Sequence, residues 1–297
     1  MRLALCSLFV CLVLCSVAES QEGPPTAPSM KIGSKPTTRG DARTVSRRWS
    51  LEARASVKMN GKVVQELKES SREVEESKLT VMTLDSEGII TTARVQILKR
   101  RTRLGDQAES VSKGEGGSYH LAVDKEGKAR LLDDAGKALG KELEEELLGS
   151  EAASLAAFDQ GWFALLPDRE IRYGESIPVA KERADELIDL ADFRVQRCKL
   201  TFSGAREKEG RTCAVFKVWL SLSGEPDEDV QTMGAELSGE LLLFKDSGHL
   251  RSLSLSGPVV VKGHSDEDGV KVEVDGLGRM TLELDYAAPT VTHRKAF

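Results

Sequence analysis

Aromatic residues are scarce, 5% of a 297-residue chain, and only four histidines occur. Those four (His120, His249, His264 and His293) lie far apart in the sequence. No G-x-S-x-G elbow, P-loop, G-x-G-x-x-G or H-E-x-x-H spacing is present, so the patterns that announce hydrolase, nucleotide or zinc chemistry are missing. Positive charge is not in excess either: 42 basic against 48 acidic side chains leave a net charge of −6. That balance provides no global field for nucleic acid. Proline and glycine, at 9 and 26, exclude a collagen-like or proline-rich rod, and a hydrophobic content of 40% excludes wholesale disorder. Beyond residue 20 no apolar run approaches the length of a membrane-spanning helix, so the processed chain is not expected to be integral to a membrane.

What the chain does have begins with Arg2 and an apolar run from Leu3 to Val17. Ser16, Ala18 and Ser20 supply small residues for cleavage. The segment 1–20 therefore reads as a secretory signal peptide cut after Ala18 or Ser20, which places the protein in the periplasm, the cell envelope or the extracellular space. Cys6, Cys11 and Cys15 fall inside this segment. A lipid anchor at Cys15 is disfavoured because Leu14, a bulky residue, precedes it. Processing leaves Cys198 and Cys213. An even count in an exported chain predicts one disulfide between them, closing a hairpin loop over residues 204–210. Such a bond contributes about 3 kcal/mol in the chain-entropy picture.

Residues 21–42 are rich in Pro, Gly, Ser and Thr and read as a flexible leader. They include the tripeptide Arg39-Gly40-Asp41, which some adhesion receptors bind but which such a composition also produces by chance. From 43 to 135 apolar residues alternate. Val45, Trp49, Leu51, Ala53, Ala55, Val57 and Met59 line one face of a long strand, and Asn60-Gly61 predicts a tight hairpin. Residues 136–190 change period. Leu139, Leu143 and Leu147 are four apart with glutamates between them, which predicts an amphipathic helix reaching Phe158, and a second short helix is expected from Val179 to Leu190. From 191 to 288 the strands return, with a bulge expected near Gln196-Arg197, where the apolar parity shifts. Residues 289–297 form a tail. The fold class is mainly β: an antiparallel meander in two portions, as a curved sheet, sandwich or partial barrel, joined by a short helical segment.

No catalytic, cofactor-binding or metal-binding residues emerge. Asp227-Glu228-Asp229 and Asp266-Glu267-Asp268 read as solvated hairpin tips without EF-hand spacing. The basic run Lys99-Arg100-Arg101-Thr102-Arg103 lacks the interleaved aromatics that a single-strand platform needs, and reads as an edge strand or strand end defended by charge. Phe163-Ala164-Leu165-Leu166-Pro167, followed by Ile171 and Tyr173-Gly174-Glu175-Ser176, resembles a pattern in exported β-rich bacterial proteins of uncharacterised function. That resemblance covers about a tenth of the chain, and it implies an exported β-rich protein without implying a reaction. The functional expectation is a non-catalytic binding module holding an apolar ligand or a partner protein on a curved sheet, with the middle helix as lid. The alternatives are a structural or cell-envelope interaction protein, and a hydrolase with an unrecognised site.

Overall fold

In a computed structural model of the chain, the described residues are 28–287 apart from 87, 125–127, 159–160, 189, 191–192, 225–230 and 268–269. The signal segment 1–20, the tail 289–297, Asp227-Glu228-Asp229, Asp268 and His293 lie outside them. The elements in chain order are β1 (Ser29–Met30), β2 (Ala42–Met59), β3 (Lys62–Leu84), β4 (Ile90–Leu104), β5 (Ser110–Val111), β6 (Ser118–Val123) and β7 (Ala129–Leu132). Next come α1 (Lys141–Phe158), a 3-10 turn (Phe163–Leu165), β8 (Ile171–Arg172), β9 (Ser176–Val179) and α2 (Lys181–Ile188). The chain then runs through β10 (Phe193–Lys208), β11 (Arg211–Gly224), β12 (Gln231–Phe244), β13 (Leu250–Glu267) and β14 (Val270–Tyr286).

The fold is mainly β and antiparallel, as the alternation requires, and its two meanders are one sheet. β14 pairs along β2, with Val274 opposite Val57, Met280 opposite Leu51 and Tyr286 opposite Val45. The strand order is β7-β6-β4-β3-β2-β14-β13-β12-β11-β10-β9, an open sheet rather than a closed barrel. Asn60 and Gly61 take positive φ angles of 51° and 79°, the two-residue turn that matches strand twist. The register slips between Val195 and Arg197, so the expected bulge is where the parity shift placed it.

One face of this sheet is apolar along most of its width, with Arg47, Glu73, Glu75 and Arg100 as a charged group on it. Trp49, Leu282, Leu255, Gly239, Val218, Leu200 and Ile177 stand directly opposite one another across seven strands. We call this the inner face. At Gly239 an added Cβ would lie 1.8 Å from the carbonyl oxygen of Ser254, and at Gly257 1.9 Å from that of Glu236. No side chain fits at either place, so these glycines let neighbouring strands approach closely, the usual role of glycine inside a bent sheet.

The two helices cover part of the inner face. α1 packs on edge strand β7 and on α2, and α2 packs on β10 beside the opposite edge. Tyr286 Oη donates to the carbonyl of Ser154 at 3.5 Å, and Arg47 Nη2 donates to that of Ile188 at 3.3 Å, so the pair also reaches the middle of the sheet. Leu147, Leu155, Trp162, Leu187 and Ile188 are buried against it. Leu139 and Leu143, also expected in the stripe, are only partly buried.

One expectation is corrected here. Residues 28–41 are not a free leader: β1 pairs with β8, Ile32 is buried, and the Gly33 amide donates to the Lys245 carbonyl at 2.7 Å. Apolar side chains are few in that stretch, but backbone pairing needs none. The basic run is the end of β4, which pairs there with β3 and with only two residues of β5, so it is the charged strand end that the sequence suggested.

Candidate functional site

The disulfide does not form: Cys198 and Cys213 are both free and buried. The predicted loop is mostly strand, since β10 runs to Lys208 and the turn is only Glu209-Gly210. Cys198 then faces Leu220 on β11, seven positions along the strand from Cys213, and Cys213 faces Arg206. At about 3.3 Å per residue the two are far beyond the roughly 7 Å limit between Cα atoms that a disulfide can bridge. Cys198 belongs to the main core, whereas Cys213 packs with Val215, Leu242 and Phe244 in a separate small cluster on the outer face. Burial pushes the Cys198 thiol up to about 12 and raises that of Cys213.

The other residues noted in the sequence are held structurally. Arg39-Gly40-Asp41 is a turn pinned to the sheet: the Gly40 amide donates to Val81, and the Asp41 carboxylate accepts from the Thr38 amide at 2.8 Å. His120 is half-buried, 3.7 Å from Asp134, and His264 is exposed on β13. His249 is buried at a hairpin end, where desolvation and the nearby Arg43 push it down to about 3. Among the described residues no cluster of three or more His, Cys, Asp or Glu could hold a metal ion.

Two of the four cations of the basic run, Arg100 and Arg101, are neutralised. Arg100 points to the inner face and pairs with Glu75 at 2.7 Å and Glu73 at 3.4 Å. Glu73 in turn accepts from the Trp49 indole at 2.7 Å. Arg101 pairs with Glu109 and Glu115, both at 3.3 Å. Beneath Arg100 lies Glu151 of α1, 1% exposed, against the carboxyl of Glu75 and accepting from Ser77 Oγ at 3.3 Å. Burial, reinforced by Glu75, raises Glu151 well above the ordinary carboxylate range. This cluster ties helix to sheet and is closed to solvent.

An open concavity lies on the other face of the sheet. Two adjacent rows of outer-face residues cross four strands there. Lys68, Arg54, Leu277 and Val260 stand opposite one another in the first, and Glu66, Ser56, Asp275 and Lys262 in the second. Between them runs a groove of about 850 Å³ whose floor is the backbone of Leu67, Ala55, Gly276 and Val261. Its apolar wall is unusual for a solvent-facing row: Leu277 is 71% exposed and its cross-strand partner Val260 36%. Sequence reasoning missed this site because it followed the inner parity. The signal was nevertheless there, as Leu277 breaks the alternation between two glycines and Val260 does so between two valines.

No family model and no curated protein matches the chain. Among solved structures, lipovitellin, described for its lipid–protein interactions, is 7% identical with a TM-score of 0.40 over 87% of this chain. The match spans 26% of lipovitellin, so this chain corresponds to about a quarter of that protein. An outer-membrane channel from Pseudomonas putida F1 is 9% identical, with a TM-score of 0.20 over 84% of this chain and 97% of the channel. At such scores no function follows from the likeness. Among the described residues no helix is long and apolar enough to cross a membrane.

Proposed function

We propose that the protein is an exported, non-catalytic binding module that holds an apolar or amphipathic ligand in the groove on the outer face of β3, β2, β14 and β13. One observation carries this reading: Leu277 and Val260, exposed side by side, form the wall of a concavity of about 850 Å³. That volume falls in the range of small-molecule sites, and a contiguous exposed apolar surface rimmed by charge is the usual mark of a binding surface. The inner face was the expected site, with the middle helix as lid. There the helices and the 3-10 turn pack directly on the sheet, with Leu147 and Trp162 at 0% exposure, which supports a role for them as core. Arg2 and the apolar run to Val17 support export.

The competing reading, a protein that meets partners through its strand edges, is less well supported. Both terminal strands are four residues long, and β9 carries Pro178, which has no amide to donate. Native mass spectrometry of protein purified from its own host, followed by lipid extraction, tests the proposal. A retained small apolar adduct that is lost in Leu277→Asp is the expected result. An adduct-free protein that instead recovers a stoichiometric protein partner would favour the competing reading.

A further inference from the structure

The charges around the groove point to what its ligand carries. On most of this outer face the register opposes unlike charges: Glu283 faces Arg48, Glu52 faces Arg279, Glu273 faces Lys58 and Asp275 faces Lys262. Three cross-strand pairs break this rule; in one, Lys208 facing Arg211, Asp246 pairs the arginine at 2.6 Å, and the other two have no such relief. Arg54 of β2 faces Lys68 of β3, and Arg72 of β3 faces Arg103 of β4. All four side chains are exposed, and among the described residues none has an ion-pair partner. Like charges directly opposite destabilise a sheet. Lys68 and Arg72 are four residues apart on one strand face, so the two pairs are about 13 Å apart.

The position of the Arg54–Lys68 pair is the decisive feature. Arg54 stands directly opposite Leu277, so one row reads cation, cation, exposed leucine, exposed valine. Glu66 and Asp275 stand in the second row of the groove, and Asp275 is occupied by Lys58 at 2.9 Å. Building on the groove as the binding site, we propose that its ligand is a single-chain anionic amphiphile. Its phosphate or carboxylate head lies between Arg54 and Lys68, and its alkyl chain lies over Leu277 and Val260. An anionic head relieves the opposition of two unneutralised cations and gains charge-assisted hydrogen bonds. The chain covers apolar surface that the fold leaves in water.

Titrations with dodecyl phosphate and dodecyl maltoside, each below its micelle threshold, test this. The expected result is that both bind, the phosphate about ten-fold tighter. Added salt should narrow that gap. The double variant Arg54→Gln/Lys68→Gln should abolish the gap without weakening maltoside binding. Both positions are exposed and the change removes a like-charge opposition, so the variant should be at least as stable as wild type, and the salt series on wild type tests the same term independently. Equal affinities in wild type, or a preference that survives both salt and the double variant, would overturn the anionic head while leaving the groove as a site. Failure of both amphiphiles to bind would overturn the groove itself.

Discussion

Glu151 on α1 accepts a hydrogen bond from Ser77 Oγ on β3 at 3.3 Å, joining the helical segment to the sheet through a carboxyl that is 1% exposed. From β3 it is also faced by Glu75, and from β4 by Arg100, which is already paired with Glu75 and Glu73. Tyr286 of β14 lies close enough to feel its charge, with Arg47 of β2 beside that tyrosine. Arg100 opposes the upward shift of Glu151, but burial and Glu75 outweigh it.

The contribution of Glu151 to stability should therefore fall as pH rises. The folded chain keeps Glu151 protonated above the pH at which the unfolded chain releases that proton. Its contribution is complete below the unfolded pKa and is lost as pH climbs through the raised folded value. Wild type should lose stability relative to Glu151→Gln, which mimics the neutral acid, as pH climbs from about 5 to about 8; taking the difference removes the opposing rise from His249, which is held down to about 3. At the alkaline end the variant should be more stable than wild type. A variant less stable than wild type at every pH would mean that Glu151 is a charged partner of Arg100.

Docking of α1 rests on Leu147 rather than on the whole leucine stripe. Leu147 is fully buried and Leu143 only partly. Leu147→Ala should cost about 2–5 kcal/mol in chemical denaturation, whereas Glu145→Ala on the exposed side should stay within about 0.5 kcal/mol. Equal midpoints for the two would show that the helix does not pack through this residue.

The two free cysteines give a sharp redox expectation. Peptide mapping of unreduced protein should recover both Cys198 and Cys213 as thiols, alkylated only after denaturation. Reductant should leave the melting temperature unchanged, whereas a bond closing a loop of this size would add about 3 kcal/mol. A linked 198–213 peptide would require a different register between β10 and β11.

Close strand approach at Gly257 predicts intolerance of even one methyl group. Gly257→Ala places a Cβ 1.9 Å from a backbone oxygen that cannot swing away. Its cost should exceed about 2 kcal/mol, while Gly136→Ala, where an added Cβ meets nothing within 4 Å, pays only for its positive φ of 78°.

Much of this architecture was legible because alternation is a direct consequence of burying one sheet face. The strand from Val45 to Met59, the Asn60-Gly61 turn, the bulge after Val195 and both helices follow from period and turn chemistry alone. Three features were not legible, each because side-chain pattern was not its cause. The stretch from Glu69 to Glu76 is too polar to show the alternation, yet it is continuous β3, held by a backbone ladder to β2 and by Arg100 of β4. Gly204 to Lys208 looked like a loop for want of apolar residues, though it pairs residue by residue with β11. The join between the two meanders is a pairing of residues more than two hundred positions apart, such as Leu282 with Trp49, which local periodicity does not encode.

The account stands or falls on where an apolar chain sits. A crystal of the protein soaked with an alkyl amphiphile that carries bromine at its chain end would show that position by anomalous scattering. The account predicts a bromine peak on the outer face, in the groove beside Leu277 and Val260. A peak between α1 and the inner face, or none at a concentration that saturates binding in solution, would contradict it.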